Sequence, residues 1–242
     1  MQQQTNALSL AKAVMRQLVQ QGHQAYLVGG AVRDWLLGRT LRDLDIATDA
    51  TPQQVMSCFA HVIPTGLKHG TVTVLEQGMT FEVTTFRMEG GYKHHRWPEV
   101  TFTKDLEVDL ARRDFTINAM AMDLEGRGID PFGGQEDLDK RRIRAVGDPA
   151  LRLSEDALRM MRAIRLASEL DFDIEERTWQ ALCQQAPLLT YISIERIREE
   201  LTRTLMAAQA AKGLMLLQQS RLKQYIAPLQ QFLPWQFSSL QR

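Results

Sequence analysis

A short strand pattern that carries two aspartates places the strongest constraint on the fold of this chain. In "DLDIA" (43–47), side chains alternate between the two faces of an extended strand, so Asp43 and Asp45 are predicted to share one face. Carboxylates on such a strand are costly to bury unless a metal, an arginine or water compensates them. Two carboxylates at this spacing can bind a pair of divalent ions, the arrangement used for in-line displacement at phosphorus. Oxygen ligands alone favour Mg²⁺ or Mn²⁺ over zinc.

A second strand pattern supplies a third carboxylate. In "TFEVTTF" (80–86), Phe81 and Val83 are predicted to face the core, which places Glu82 on the opposite face. The preceding run "GTVTVLE" (70–76) predicts the neighbouring strand, and "EQG" between the two runs predicts a hairpin turn. Glu82 is therefore a candidate to join the two aspartates.

Two glycines stand shortly before the acidic strand, in "LVGGAVRD". Gly29 and Gly30 are predicted to end a strand and begin a helix, and the N–H groups of a helix N-terminus bind phosphate well. Arg33, one turn later, can add a charged contact. A plain turn is the alternative, but it does not explain why phosphate-binding and metal-binding patterns follow one another so closely.

The pattern of the chain changes near residue 147. Before that point, β-branched runs alternate with helical pieces, and from Asp148 onward apolar residues recur only at helical spacing. Ser154 and Ser193 are predicted N-caps of helices in this second part. The fold class is therefore predicted to be α+β over 1–146, followed by an all-helical domain over 147–207. Residues 208–242 are predicted to be the truncated start of a helical body. They end in "IAPLQQFLPWQFSSLQR", whose apolar character predicts either the beginning of a larger domain or a surface for a partner or a homo-oligomer.

Composition narrows the function classes. The chain has 29 basic and 29 acidic residues, so any site for a polyanion must be a local basic patch, for which Lys140–Arg165 is the candidate. The two cysteines, Cys58 and Cys183, predict reduced thiols rather than a disulfide framework or a zinc site. Neither a signal peptide nor an apolar run of about 18 residues is recognisable, so we expect a soluble, cytoplasmic protein without membrane contact.

Five motifs occur in order between about residues 25 and 205: "GGAVRDWLLG…RDLDIAT", "RRDFTINAMAMD", "DPFGGQEDLDKRRIRAVGDP", "SEDALRMMRAIRLASEL" and "ISIERIREEL". Together they resemble the motifs of the bacterial class II tRNA nucleotidyltransferases, the CCA-adding enzymes, whose relatives include A-adding, CC-adding and poly(A)-making enzymes. The resemblance implies a polymerase-β-like head with a mixed β-sheet, followed by a helical neck, body and tail. Because members of this family are longer, it also implies either a chain truncated after the neck or a minimal enzyme.

The resemblance further implies individual roles. Asp43 and Asp45 would hold two Mg²⁺ ions, with Mn²⁺ as an alternative, and Glu82 would lie near the RNA 3′-hydroxyl. The "RRD" motif would bind the sugar and triphosphate of the incoming nucleotide. The expected nucleotide-binding residues, including the glycine turn, are Gly29, Gly30, Arg33, Arg112, Asp114, Asn118, Glu155, Asp156, Arg159 and Arg162.

Two of these residues are expected to choose the base. Asp156 and Arg159 are three positions apart on one predicted helix, so their side chains should project together. A carboxylate and a guanidinium complement the pairing edges of both cytosine and adenine, whereas uracil and guanine would make repulsive contacts. A surface ion pair worth less than about 1 kcal/mol is the alternative. "MEGGYKHHRWPEVTF", with Tyr92 and Arg96, resembles the flexible loop that CCA- and A-adding members use to switch from C to A.

The expected function is template-independent addition of C and A to the 3′ end of tRNA, from CTP and ATP with release of pyrophosphate. A-adding, CC-adding or poly(A)-making activity is the alternative within the family. A catalytically idle fragment that binds nucleotide or RNA is the alternative outside it.

Overall fold

The computed structural model describes residues 2–41, 43–95 and 97–226, which form two compact units. The sheet unit contains the described residues up to Gly91, together with Pro98–Lys140 and Arg144–Gly147. The helical unit contains the described part of Tyr92–Trp97, then Arg141–Ile143 and the described residues from Asp148 onward. None of the described helices has the length and apolar character needed to cross a membrane.

The described chain forms strands and helices in both units. Up to residue 140 its strands are β1 (Ala25–Val28), β2 (Asp45–Thr48), β3 (Val62–Gly66), β4 (Thr71–Glu76), β5 (Met79–Thr85), β6 (Arg87–Lys93), β7 (Trp97–Phe102), β8 (Ala121–Met122) and β9 (Gly128–Ile129). The helices of this part are α1 (Gln2–Gln20), α2 (Gly30–Leu36), α3 (Pro52–Cys58), α4 (Leu106–Ala111) and α5 (Gly134–Asp139). Beyond residue 140, the described strands and α-helices are β10 (Arg142–Ile143), α6 (Pro149–Glu155), α7 (Leu158–Leu170), β11 (Asp173–Ile174), α8 (Glu176–Gln185), α9 (Ile194–Leu205) and α10 (Ala210–Gln219).

A seven-stranded mixed sheet organises the sheet unit, with the strand order β3-β4-β5-β2-β1-β8-β9. Strand β2 runs parallel to β5, whereas β1 is antiparallel to both β2 and β8. The predicted hairpin between β4 and β5 is confirmed, because Glu76 pairs with Met79 around a two-residue turn. Its residues Gln77 and Gly78 have φ values of 47° and 80°, as favoured hairpin turns of this length require.

Helix α4 packs against the sheet beside the acidic strand. Asp105 caps its N-terminus by accepting a hydrogen bond from the backbone N–H of Glu107 at 2.9 Å. The apolar side of α4 belongs to one buried cluster, which consists of Val28, Ala47, Phe86, Leu106, Leu110 and Ala121. This packing holds α4 against strands β1 and β2. Strand β1 ends just before Gly29, and β2 begins at Asp45.

In the helical unit, α7 is the central element. A buried ion pair joins Arg165 of α7 to Glu200 of α9, with Nε 2.6 Å from Oε2. Helix α10 approaches α7 closely at Gly213, where an added Cβ would lie 2.2 Å from Ser168 Oγ. The parallel pair β10–β11 corrects the prediction that strands end before residue 148.

The two predicted N-caps have different outcomes. Ser193 is the N-cap residue of α9, as predicted, but its side chain makes no capping hydrogen bond. The prediction for Ser154 is wrong, since this residue lies inside α6, whose N-cap is Asp148 accepting from the Leu151 N–H at 2.8 Å. The apolar segment predicted to meet a partner begins at Ile226, and its residues 227–242 lie outside the described residues.

Candidate active site

Two of the three predicted carboxylates lie side by side on the mixed sheet. Asp45 is the first residue of β2, and in the parallel pairing of β2 with β5 its partner is Glu82. Paired residues of neighbouring strands share a face of the sheet, and Phe81 and Val83 are fully buried on the other face. The predicted orientation of Glu82 is therefore confirmed. Asp43 is exposed and precedes the strand, which begins two residues later than the pattern predicted.

These carboxylates fit a metal that is shared with a substrate. Among the described residues, His, Cys, Asp and Glu form no group of three or more that could hold an ion by themselves. Mg²⁺ is usually bound through one or two carboxylates together with waters and substrate phosphates, rather than by a cage made of protein alone. The pair formed by Asp45 and Glu82, with Asp43 nearby in the chain, is a donor set of this kind.

The glycine turn lies directly beside Asp45. Gly29 follows β1 and precedes α2 with φ 69° and ψ −137°, a conformation that L-residues reach only with strain. A Cβ on Gly29 would lie 2.9 Å from Arg113 Nη1 and 3.6 Å from Asp45 Oδ2. The absence of a side chain therefore lets the backbone approach both the guanidinium and the carboxylate. The predicted strand–Gly-Gly–helix arrangement is confirmed.

Arg33 supports this turn from within the protein. It is 8% exposed, and its Nη1 donates to Asn118 Oδ1 at 2.7 Å. Its Nε and Nη2 donate to the two oxygens of Asp34 at 3.0 and 3.1 Å. Asn118 Nδ2 in turn donates to Asp114 Oδ1 at 3.1 Å. Three residues of the predicted nucleotide-binding set thus form one hydrogen-bonded chain.

Arg112 and Arg113 are both held by Asp109, a buried residue of α4. Arg112 donates to Asp109 Oδ1 from Nε at 2.9 Å and from Nη2 at 2.8 Å, while Arg113 Nη2 donates to Oδ2 at 3.2 Å. Arg112 also bonds Glu89 Oε1 at 3.2 Å. Burial alone would raise the pKa of Asp109, but the charges of Arg112 and Arg113 outweigh it and hold that pKa below its usual value. Asp109 is therefore a buried anion between two guanidinium groups.

The predicted base-choosing pair does not lie on one helix, and this expectation is corrected. Helix α6 ends at Glu155 and α7 begins at Leu158, with Asp156 between them in an extended conformation at φ −134°. Asp156 Oδ1 accepts a hydrogen bond from the Leu158 N–H at 3.1 Å. Such a local side-chain bond competes with helix continuation, which accounts for the break.

Asp156 and Arg159 are each fixed by another residue of the helical unit. Arg196 of α9 holds the Asp156 carboxylate with both terminal nitrogens, Nη2 at 2.9 Å and Nη1 at 3.4 Å. Arg159 Nη1 lies 2.5 Å from Glu155 Oε2, and its guanidinium carbon lies 6.0 Å from the centre of the Tyr92 ring. The Asp156 carboxylate and the Arg159 guanidinium are therefore oriented by different partners, Arg196 and Glu155.

The segment that resembles the flexible loop forms a two-stranded hairpin, β6–β7. Tyr92 therefore lies in strand β6 rather than in a loop, and Arg96 lies outside the described residues. His95 approaches α6, with Nδ1 2.5 Å from the Ser154 carbonyl oxygen. Arg162, half-buried, lies on α7 about one turn beyond Arg159.

Sequence reasoning missed Arg196 and Asp109. Arg196 belongs to "ISIERIREEL", and Asp109 stands three residues before the "RRD" motif. Both residues therefore lie in or beside motifs that the sequence analysis identified. Their roles depend on contacts that the local pattern does not contain. Arg196 bonds Asp156 across 40 positions of the chain, and Asp109 accepts from the Arg87 backbone across 22 positions.

Comparisons with known proteins match both parts of the chain. Residues 25–144 match the family described as "Poly A polymerase head domain", and residues 171–233 match "Probable RNA and SrmB- binding site of polymerase A". The CCA-adding enzyme of Geobacillus stearothermophilus is 52% identical over 220 residues, which are 90% of this chain and 54% of the relative. The chain therefore spans about half the length of the curated relatives it matches.

Solved structures agree with these matches. The Bacillus stearothermophilus CCA-adding enzyme in complex with CTP aligns with a TM-score of 0.87 and 50% identity over 91% of this chain and 54% of that one. The Thermotoga maritima CCA-adding enzyme complexed with tRNA aligns with a TM-score of 0.78 and 28% identity over 92% of this chain and 52% of that one.

Proposed function

Because this chain belongs to the family of bacterial tRNA nucleotidyltransferases and poly(A) polymerases, we propose that it adds C and A residues to the 3′ end of tRNA without a nucleic-acid template. The nucleotides come from CTP and ATP, and pyrophosphate is released. The observation that carries the proposal is the pairing of Asp45 with Glu82 on adjacent parallel strands, beside the turn at Gly29. A tRNA substrate and two free cysteines favour a location in the cytoplasm.

In the sheet unit, we assign the chemistry to the carboxylates and their neighbours. Membership of a nucleotidyltransferase family implies dependence on a divalent cation. We propose that Asp43 and Asp45 hold two Mg²⁺ ions, which when bound neutralise phosphate charge and acidify the attacking hydroxyl. Glu82 lies beside Asp45 and would orient the RNA 3′-hydroxyl. The main task of the protein's own residues would be to position the 3′-hydroxyl and the triphosphate in line.

Arg113 and Asp114 would bind the incoming nucleotide. The Arg113 guanidinium lies next to Gly29, whose missing side chain leaves room for Nη1 beside the turn. A guanidinium at this position would donate to the oxygens of the triphosphate. Arg113 Nε is buried and has no acceptor among the described residues, so an anionic oxygen would satisfy it. Asp114, held by Asn118, would accept a hydrogen bond from the ribose 2′-hydroxyl and favour ribonucleotides over deoxyribonucleotides. Arg112, which donates to Asp109 and Glu89, would help to hold Asp109 and thereby Arg113 in position.

In the helical unit, Asp156 and Arg159 would read the base. Asp156 accepts from the exocyclic amine, and Arg159 donates to the unprotonated ring nitrogen, a pattern that cytosine and adenine share. Glu155 and Arg196 hold these two groups in place. Uracil and guanine would bring a carbonyl oxygen against the carboxylate, and this repulsion is the basis of the selectivity.

The test is a primer-extension assay with Mg²⁺ and each NTP singly, on two tRNA transcripts. One transcript ends before CCA and the other already ends in CC. Addition of C, C and A in turn is the expected result. A added only to the second transcript would indicate an A-adding enzyme, C additions alone a CC-adding enzyme, and long A tails a poly(A) polymerase. NTP binding without any addition would refute the proposal and indicate an idle fragment.

A further inference from the structure

We propose that Asp109 is a positioning residue that sets the nucleotide affinity of the site by fixing the guanidinium of Arg113. This inference rests on the proposed function, because it assigns Arg113 to the triphosphate. Asp109 accepts hydrogen bonds from Arg112, Arg113 and the Arg87 backbone. We therefore expect it to influence the carboxylate site through the arginines. Three features of its surroundings carry the inference.

The first feature is the burial of Asp109 on helix α4, which packs against strands β1 and β2. Its side chain is fully buried, and the neighbouring Leu110 is also fully buried in the cluster that contains Val28 and Ala47. Val28 immediately precedes Gly29, and Ala47 lies two residues after Asp45 on β2. The position of Asp109 is therefore fixed by the same strands that carry the turn and the carboxylate.

The second feature is that the two oxygens of Asp109 have different hydrogen-bond partners. Oδ1 accepts from Arg112 and, at 3.2 Å, from the backbone N–H of Arg87. Oδ2 accepts from Arg113 Nη2 at 3.2 Å. The Oδ1 bonds tie α4 to the start of β6, which is a structural task. The Oδ2 bond has a different consequence, because it determines where the Arg113 guanidinium points.

The third feature is the opposite end of that guanidinium. While Nη2 is held by Asp109, Nη1 lies 2.9 Å from the position that a Cβ of Gly29 would take, and Asp45 Oδ2 lies 3.6 Å from the same position. The planar guanidinium donates in fixed directions, so anchoring Nη2 also fixes Nη1. A preorganised donor of this kind binds an anion more tightly than one that must be ordered on binding. Loss of the Oδ2 bond should therefore weaken nucleotide binding more than it slows the chemical step.

The experiment compares Asp109→Asn, Asp109→Glu, Arg113→Ala and the double variant Asp109→Asn/Arg113→Ala in the full chain. CTP is varied on a transcript that lacks CCA, and CTP binding is measured separately by equilibrium dialysis. Asp109→Asn is expected to raise both KM and Kd for CTP about tenfold while kcat changes less than about threefold. In the Arg113→Ala background the same change should alter Kd less than about twofold. Asp123→Asn is the matched control, since it removes a carboxylate that pairs with the exposed Arg127.

The outcomes separate the inference from the proposed function. An unchanged KM and Kd in Asp109→Asn, or effects of Asp109→Asn and Arg113→Ala that multiply, would overturn the inference. If Asp109→Asn does not fold, Asp109→Glu decides: a raised Kd that disappears in the Arg113→Ala background supports the inference, and an unchanged Kd overturns it. If the wild-type chain adds no nucleotide, the proposed function fails, and the dialysis series alone decides whether Asp109 acts through Arg113.

Discussion

Replacing Gly29 with alanine tests whether the glycine turn maintains the geometry of the site. Gly29 has φ 69° and ψ −137°, and a non-glycine residue in this sparsely populated region costs about 1–3 kcal/mol. The new Cβ would also lie 2.9 Å from Arg113 Nη1, a distance that real Cβ contacts essentially never show, so the guanidinium must move. We therefore expect Gly29→Ala to lower the free energy of unfolding by about 2–4 kcal/mol. The displaced arginine should also raise the KM for CTP.

Gly38 provides a matched control for the backbone contribution. It also has a positive φ, 65°, but nothing lies within 4 Å of the Cβ position. Gly38→Ala should therefore lower the free energy of unfolding by only about 1–2 kcal/mol and leave the KM for CTP unchanged. Urea unfolding followed by circular dichroism gives the first quantity, and initial rates of CTP incorporation give the second. Equal losses of stability in the two variants, with an unchanged KM in Gly29→Ala, would refute the contact between the turn and Arg113.

Three further perturbations address other parts of the chain. Asp45→Ala should abolish nucleotide addition in the primer-extension assay while the thermal midpoint falls little, because repulsion between neighbouring carboxylates is relieved; retained turnover would exclude Asp45 from the mechanism. Arg196→Ala should reduce discrimination against UTP and GTP at least about tenfold in competition assays, because Asp156 loses the ion pair that orients it; unchanged discrimination would contradict this. Glu175→Ala should cost about 1 kcal/mol at pH 7 in urea titrations, because Glu175 caps α8 at the Thr178 N–H.

The pH dependence of that last variant has a definite sign. Burial by itself raises the pKa of Glu175, but the hydrogen bonds from Thr178 outweigh it and hold the pKa below its usual value of 4.5. A carboxylate with a lowered folded-state pKa stabilises the fold above its unfolded pKa, and this contribution is lost as the pH falls through the folded pKa. The difference between wild type and Glu175→Ala should therefore shrink as the pH falls below 4.5 and through the lowered folded-state pKa. A difference that grows on acidification would show that another group is responsible.

Local patterns were sufficient for the orientation of Glu82 on β5 and for the turn before that strand, but not for the start of β2, which leaves Asp43 outside the strand. The alternation of Phe81, Glu82 and Val83 determines which side chain faces the core, because the period of a strand is two and depends on no distant contact. The turn at 77–78 was likewise predictable from its residues and the flanking runs.

The break between α6 and α7 could not be predicted in the same way. "SEDALRMMR" contains neither proline nor glycine, and its residues are compatible with one continuous helix. The break is stabilised by the bond from the Leu158 N–H to Asp156 and by the ion pair with Arg196, which is distant in sequence. The dependence of Arg112 and Arg113 on Asp109 was missed because i,i+3 and i,i+4 spacing alone does not distinguish a buried anchor from an exposed ion pair.

The parallel pairing of β2 with β5 has a consequence for the order in which the chain folds. The strands that carry Asp45 and Glu82 are separated in the chain by α3, β3 and β4, which form the connection between them. Non-local strand pairing of this kind closes late, because the entropy of ordering the intervening chain must be overcome first. A nascent chain that has not yet completed β5 therefore lacks one side of the carboxylate pair. Formation of the Asp45–Glu82 pair during synthesis should therefore appear as a single event after β5 is complete rather than grow gradually with chain length.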